Sequence, residues 1–141
     1  MDTPNKFLRL VNSGFKFRLF LLTKLPSAYF SGVRVRSLDQ EKCVVTVPFK
    51  WFSQNPFRST YFACLSMAAE MTTGLLSMAA VYGRKPAISM LVVKVDSQYF
   101  KKATGRTIFT CQDGFALSKL IEEAALTGEA KTFTATSTGV D

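Results

Sequence analysis

One carboxylate is set apart by its surroundings. Glu70 is the only charged residue between Arg58 and Arg84, inside the run NPFRSTYFACLSMAAEMTTG that extends from Asn55 to Gly74. An acid among apolar and small neighbours, without a cationic partner, is expected to hold its proton more tightly than usual. A general base working near neutral pH needs that property. The other reading is a buried structural acid, hydrogen-bonded to a Ser, a Thr or an Arg. Asn55, beside Pro56, has two readings as well: it orients a water or a reacting carbonyl, or it supplies ordinary turn chemistry.

Other chemistries are limited by composition. The chain of 141 residues has no histidine. That excludes His-based nucleophilic triads and His-ligated zinc. The three cysteines, Cys43, Cys64 and Cys111, are far apart and show no CxxC spacing. They read as small core hydrophobes of a reducing cytoplasm, with no disulfide framework and no metal site. The net charge of +8 is uneven, with ten Lys/Arg against three acids in residues 1–60 and eight against seven in residues 61–141. A basic surface suits anionic partners such as phosphate-bearing ligands, nucleic acid or acidic lipid heads. No RNA-recognition signature accompanies the charge, so nucleic acid is not expected as a partner.

These residues need elements to position them. Apolar positions Phe7, Val11, Phe15, Leu19 and Leu22 predict one face of an amphipathic helix over residues 6–24, ended by Pro26. Residues 28–49 predict two strands with a turn around Asp39 to Glu41. A long helix follows from about Ser59 to Tyr82, with Ser59 or Thr60 as N-cap and Gly83 as its stop. It is apolar nearly all round, which predicts burial. Ser59 to Gly83 is long enough to span a bilayer, but Glu70 would then lie near its centre, so stable membrane insertion is not expected. Further strands are predicted in ISMLVVKVDSQYF, GRTIFTCQDG and KTFTATSTGV, with a helix in FALSKLIEEAALTG ending at Gly128. The segment FLRLVNSGFKFRLFLLTKL, broken by Arg9, Lys16 and Arg18, is not a convincing secretory signal. Strands surrounding one central helix predict an α+β domain, with an N-terminal helix over 1–25 and a core over 28–140.

The motifs NPF, STYFACLSMAAEMTTG and VDSQYFKKATGRTIFTCQD resemble the hotdog-fold thioesterase-like superfamily, in the branch related to phenylacetate-degradation thioesterases. The resemblance covers roughly residues 28–138. It implies an antiparallel sheet wrapped around a long central helix. Active members often carry His-Gly-Gly at the start of that helix and an acid about two turns on. Glu70 matches the acid. Tyr61, Phe62 and Ala63 fall at the glycine stretch and match neither His nor Gly. An upstream polar position matches Asn55.

The resemblance further implies hydrolysis of an acyl thioester, with the coenzyme A moiety as part of the substrate and no separate cofactor. Glu70 would act as base or nucleophile, and backbone N–H groups of residues 61–63 as oxyanion donors. At a rise of 1.5 Å per residue, Glu70 lies about 10–13 Å along the axis from those donors. One subunit cannot bring both to one carbonyl, so a homodimer with interfacial sites is implied, or a tetramer of such dimers. Arg58, Arg84, Lys85, Lys101, Lys102 and Arg106 are the candidates for the coenzyme A phosphates. The rival reading is a non-catalytic module that binds an acyl ligand.

Overall fold

The computed structural model describes residues 3–141. Three short helices come first: α1 (Thr3–Asn12), α2 (Gly14–Lys24) and α3 (Pro26–Ser31). The single helix expected over 6–24 is two. At Ser13 the backbone is extended, with φ −81° and ψ 102°. This break resets the helical phase. Phe7 and Val11 are buried on α1 as expected, but on α2 the buried pair is Phe17 and Leu21. Phe15, Leu19 and Leu22 face outward. Pro26 does end α2, and it also opens α3, where its fixed φ suits the first helical turn. Residues 28–31 are therefore helical and not part of the first strand. Gly32 closes α3 in the left-handed conformation, φ 85°.

The sheet is antiparallel throughout, in the order β1 (Arg34–Leu38), β2 (Cys43–Val47), β3 (Thr107–Cys111), β4 (Thr138–Val140). Asp39 builds the β1–β2 turn, its Oδ1 accepting from the amides of Glu41 and Lys42 at 2.7 and 2.8 Å. Asn12 ties the end of α1 to this sheet. Its side chain donates to the Leu38 carbonyl at 2.8 Å and accepts from the Leu38 amide at 3.0 Å, as a neighbouring strand would. Cys43 and Cys111 face each other across β2 and β3, both fully buried. Burial pushes the Cys43 thiol up to about 12 and raises Cys111 as well, so both are inert packing groups.

Helix α4 (Phe62–Val81) lies on this sheet. Its buried residues are Cys64, Leu65, Ala68, Met71, Thr72, Leu75 and Leu76. They recur at intervals of three and four, one stripe of the helix, and the helix packs on β2, whose Val45 and Val47 are fully buried. The opposite face stays open: Phe62, Glu70 and Met78 are exposed. The expectation of a helix buried nearly all round is thus corrected, because a sheet covers only one side. By length and composition alone α4 is also apolar enough to cross a membrane. Helix α5 (Gly114–Thr127) packs against α4 with Leu117 and Ile121 inward and stops at Gly128 as expected.

Two predicted strands are reduced. Residues 88–98 form no ladder, and residues 89–102 are exposed throughout. High β-propensity does not make a strand without a partner edge, and β3 already has β2 and β4 on its two sides. Only Thr138–Val140 of the last predicted strand pairs. The preceding residues still alternate in burial, with Phe133 and Ala135 packed against the core.

The phase of α2 is testable. Leu21→Ala should cost about 2–5 kcal/mol in urea unfolding, because Leu21 is fully buried. Leu19→Ala should stay within about 0.5 kcal/mol, as exposed positions do. The reverse order would restore the face read from the sequence.

Candidate active site

Glu70 projects from the open face of α4 into a cleft of about 180 Å³. The floor is Met67 and Met71 of α4, and the wall is the α2–α3 corner, residues 24–28. The carboxyl is accessible in the single chain, yet burial against this wall raises its proton affinity above that of an ordinary glutamate. Among the described residues it has no ion pair. Gly74, one turn on, makes room for it: a Cβ there would stand 2.9 Å from Glu70 Oε1. A glycine inside a helix costs about 0.5–1 kcal/mol relative to alanine, so this space has a stability cost.

The start of α4 is held by the loop before it. The amide of Tyr61 donates to the Ser53 carbonyl at 2.7 Å, and that of Thr60 to the Ala103 carbonyl at 2.8 Å. The amides of Phe62 and Ala63 have no partner among the described residues. Of the three residues expected as oxyanion donors, Tyr61 is therefore already engaged, while Phe62 and Ala63 are free to donate. The N-cap is Tyr61, not Ser59 or Thr60. Ser59 instead serves the turn before it.

That turn is built by Asn55. Its Oδ1 accepts from the amide of Phe57 at 2.9 Å, and its Nδ2 donates to Ser59 Oγ at 3.0 Å. Its own amide donates to the Ser59 carbonyl at 2.9 Å, and Arg58 takes φ +60° to close the loop. The side chain is thus occupied in positioning the segment that leads into α4. Neither Asn55 nor residues 61–63 line the Glu70 cleft.

The candidate cations divide between the two ends of α4. Lys102 reaches the Phe57 carbonyl at 3.5 Å and lies 5.9 Å from the Phe57 ring centre. This places Lys101 and Lys102 beside the Arg58 loop at the helix start. Arg84 is at the far end, its Nε donating to the Ala80 carbonyl at 2.7 Å, with Lys85 next to it. A helix of 20 residues is about 30 Å long, so one phosphate group cannot meet both sets in one chain. Arg106 is exposed just ahead of β3. A larger cleft of about 340 Å³ between β3 and β4 contains none of the candidate residues.

Sequence reasoning missed two features around the acid's helix. The α2–α3 corner appears only when the helix break is known. The hydroxyl of Tyr99 meets Ser66 Oγ at 2.9 Å, one turn before Glu70 on the same helix. The Phe62 ring packs edge-on to Tyr99, with centroids 6.4 Å apart. A Ser four residues before the acid was a readable signal; Tyr99, far along the chain, was not.

An antiparallel sheet packed on one long helix is the architecture of the hotdog fold. The chain belongs to the family described as a domain of unknown function, DUF4442, whose model matches residues 16–124. It is similar to the crystal structure of PA5026 from Pseudomonas aeruginosa, a protein of unknown function described as a probable thioesterase. There the TM-score is 0.68 at 18% identity, covering 97% of this chain and 83% of that one. OLEI01261 from Chlorobaculum tepidum, of unknown function, gives 0.66 at 19% identity over 82% and 71%. The thioesterase HI1161 from Haemophilus influenzae gives 0.55 at 9% over 71% and 67%. No curated protein sequence matches the chain.

The raised proton affinity of Glu70 has a signed consequence. Its neutral form contributes stability that is fully present below the unfolded pKa and is lost as pH rises through the higher folded one. Glu70→Gln removes that loss. The Tm of the variant relative to the native protein should be unchanged well below the ordinary glutamate pKa of about 4.3 and should gain steadily towards neutral pH. A gain that is independent of pH, or that shrinks, would contradict the desolvated acid. Gly74→Ala should raise the unfolding free energy by the helix-propensity gain, about 0.5–1 kcal/mol, and Tm with it, since the flexible carboxylate can swing aside.

Proposed function

We propose that the protein hydrolyses an acyl thioester of the coenzyme A class at a site that two copies build together. The observation that carries this reading is Glu70: an accessible acid, unpaired among the described residues, with proton affinity raised by burial in an apolar-floored cleft. Such a group takes a proton from water near neutral pH. The water oxygen then attacks the thioester carbonyl carbon, and charge collects on the carbonyl oxygen. Collapse breaks the C–S bond, the proton held by Glu70 passes to the leaving thiolate, and a free thiol and a carboxylic acid result, the acid then losing its proton to solvent.

The developing oxyanion requires donors. The free amides of Phe62 and Ala63 supply them, assisted by the positive end of the helix dipole. In one chain they lie about 10–12 Å along the helix axis from Glu70, too far to share one carbonyl with it, so the amide donors facing each acid come from a second copy. Two further facts support a dimer. The cleft of about 180 Å³ falls below the roughly 300–1,000 Å³ usual for small-molecule sites. And residues 90–100 expose Leu91, Val93 and Phe100 to more than two-thirds of their area, an apolar stretch in want of a partner. Lys102, which reaches the Phe57 carbonyl in the loop before the donors, and its neighbours Lys101 and Arg58 are assigned to the phosphates. Cytoplasmic location fits the free cysteines.

A second reading, an acyl-binding module without turnover, is favoured by one observation. Tyr61 and Phe62 place two half-exposed rings, 5.0 Å apart, at the helix start where a carbonyl must approach. Incubation with a panel of acyl-coenzyme A thioesters, following free thiol, separates the two. Hydrolysis predicts turnover that falls about 10²–10⁴-fold in Glu70→Gln, the range of a lost general base. Binding by both proteins with no thiol release would leave the module reading standing. A monomer at working concentration would remove the shared site.

A further inference from the structure

We infer that Ser66 and Tyr99 form a hydroxyl pair that binds the substrate's carbonyl oxygen in the same subunit as Glu70. The inference rests on the acyl-thioester reading and adds to it a donor that needs no second copy.

Helix α4 carries four hydroxyl residues along its length. Three bond to the backbone of their own helix: Thr72 to the Ala69 carbonyl at 2.6 Å (it also meets Ser137 Oγ at 2.8 Å), Thr73 to the Glu70 carbonyl at 2.9 Å, Ser77 to the Thr73 carbonyl at 3.0 Å. Such back-bonding is the usual way for a helical Ser or Thr to satisfy itself. Ser66 makes no such bond among the described residues. Its hydroxyl goes to Tyr99, 33 positions away in the chain, at 2.9 Å.

Two hydroxyls in one bond use one proton between them. The other proton remains free, and the bond already formed makes it a better donor. Ser66 and Glu70 are four residues apart, with Cβ atoms about 5–6 Å from each other on one helix face. A thioester carbon placed for attack by a water on Glu70 would have its oxygen within reach of that face. Phe62, four residues before Ser66, packs edge-on against the Tyr99 ring and closes the side towards the helix start. Tyr99 is half exposed, so its position does not come from burial in the core.

The test compares two ligands that differ only at the carbonyl. Hexanoyl- and dodecanoyl-coenzyme A have the oxygen; the S-hexyl and S-dodecyl thioethers lack it. Affinities are measured in Glu70→Gln protein, where turnover is about 10²–10⁴-fold slower, with Tyr99→Phe or Ser66→Ala added. Each addition should weaken the thioesters about 3–10-fold, the worth of one neutral hydrogen bond, and leave the thioethers unchanged. Ser66→Thr should restore the thioester affinity. In the Glu70 protein, Tyr99→Phe should lower kcat more than it raises KM, with the pH midpoint kept. Equal weakening of both ligand types would mean that the pair merely anchors residues 90–100, and no weakening would mean that it is idle; either overturns the inference. Failure of the wider reading looks different: the otherwise native protein then neither binds nor cleaves any thioester, and this inference falls with it.

Discussion

The packing of α4 on β2 and β3 fixes everything else in this molecule. Seven residues from Cys64 to Leu76 must leave water together, and only one rotation of the helix about its axis achieves it. Fully burying each of Leu65, Met71, Leu75 and Leu76 contributes about 1.5–3 kcal/mol. Turning the helix to hide Glu70 would expose several of them and desolvate a charge as well. The acid's outward position is therefore a consequence of core packing. Ser66 and Gly74, four residues on either side, are carried to the same face by the same constraint.

The rest of the site is a matter of what the open face borrows. The α2–α3 corner brings five residues to one flank of Glu70, so the N-terminal helices are part of the site's wall. Their placement depends on the break at Ser13, and on Asn12 pairing with Leu38. Tyr99 is tied to Ser66, one turn before Glu70 on the same helix. The result is an acid half withdrawn from water, with no ion pair among the described residues although Lys24 lines the same cleft, beside a glycine that lowers the helix's own stability. On the function proposed above, both costs are offset by reactivity: a base with higher proton affinity and room to move its carboxylate.

Much of the fold was legible in the sequence. Gly128 marked the end of α5. Asp39 with the alternating valines marked the β1–β2 hairpin, and the uncharged run from Ser59 marked the central helix. These signals are local, and local propensity agrees with the tertiary structure there. What was not legible depended on distant partners. The outward turn of Phe15 and Leu19 follows from a single non-helical residue at Ser13, which no hydrophobic period announces. Residues 88–98 have strand composition but lack a ladder, since no edge within the chain accepts them. Asn55 read equally well as a reacting-group orienter and as a turn residue; the structure gives its side chain to the turn. The candidate cations looked like one set along the chain, yet α4 holds Arg58 and Arg84 at opposite ends.

The most direct measurement is a carbon-13 NMR titration of the Glu70 carboxyl in the otherwise native protein, assigned with Glu70→Gln. A desolvated acid without a cationic partner should titrate above the other glutamates, and its midpoint should change little with salt. A midpoint at or below theirs, or one that rises as salt is added, would reveal a solvated or ion-paired carboxylate and contradict the account.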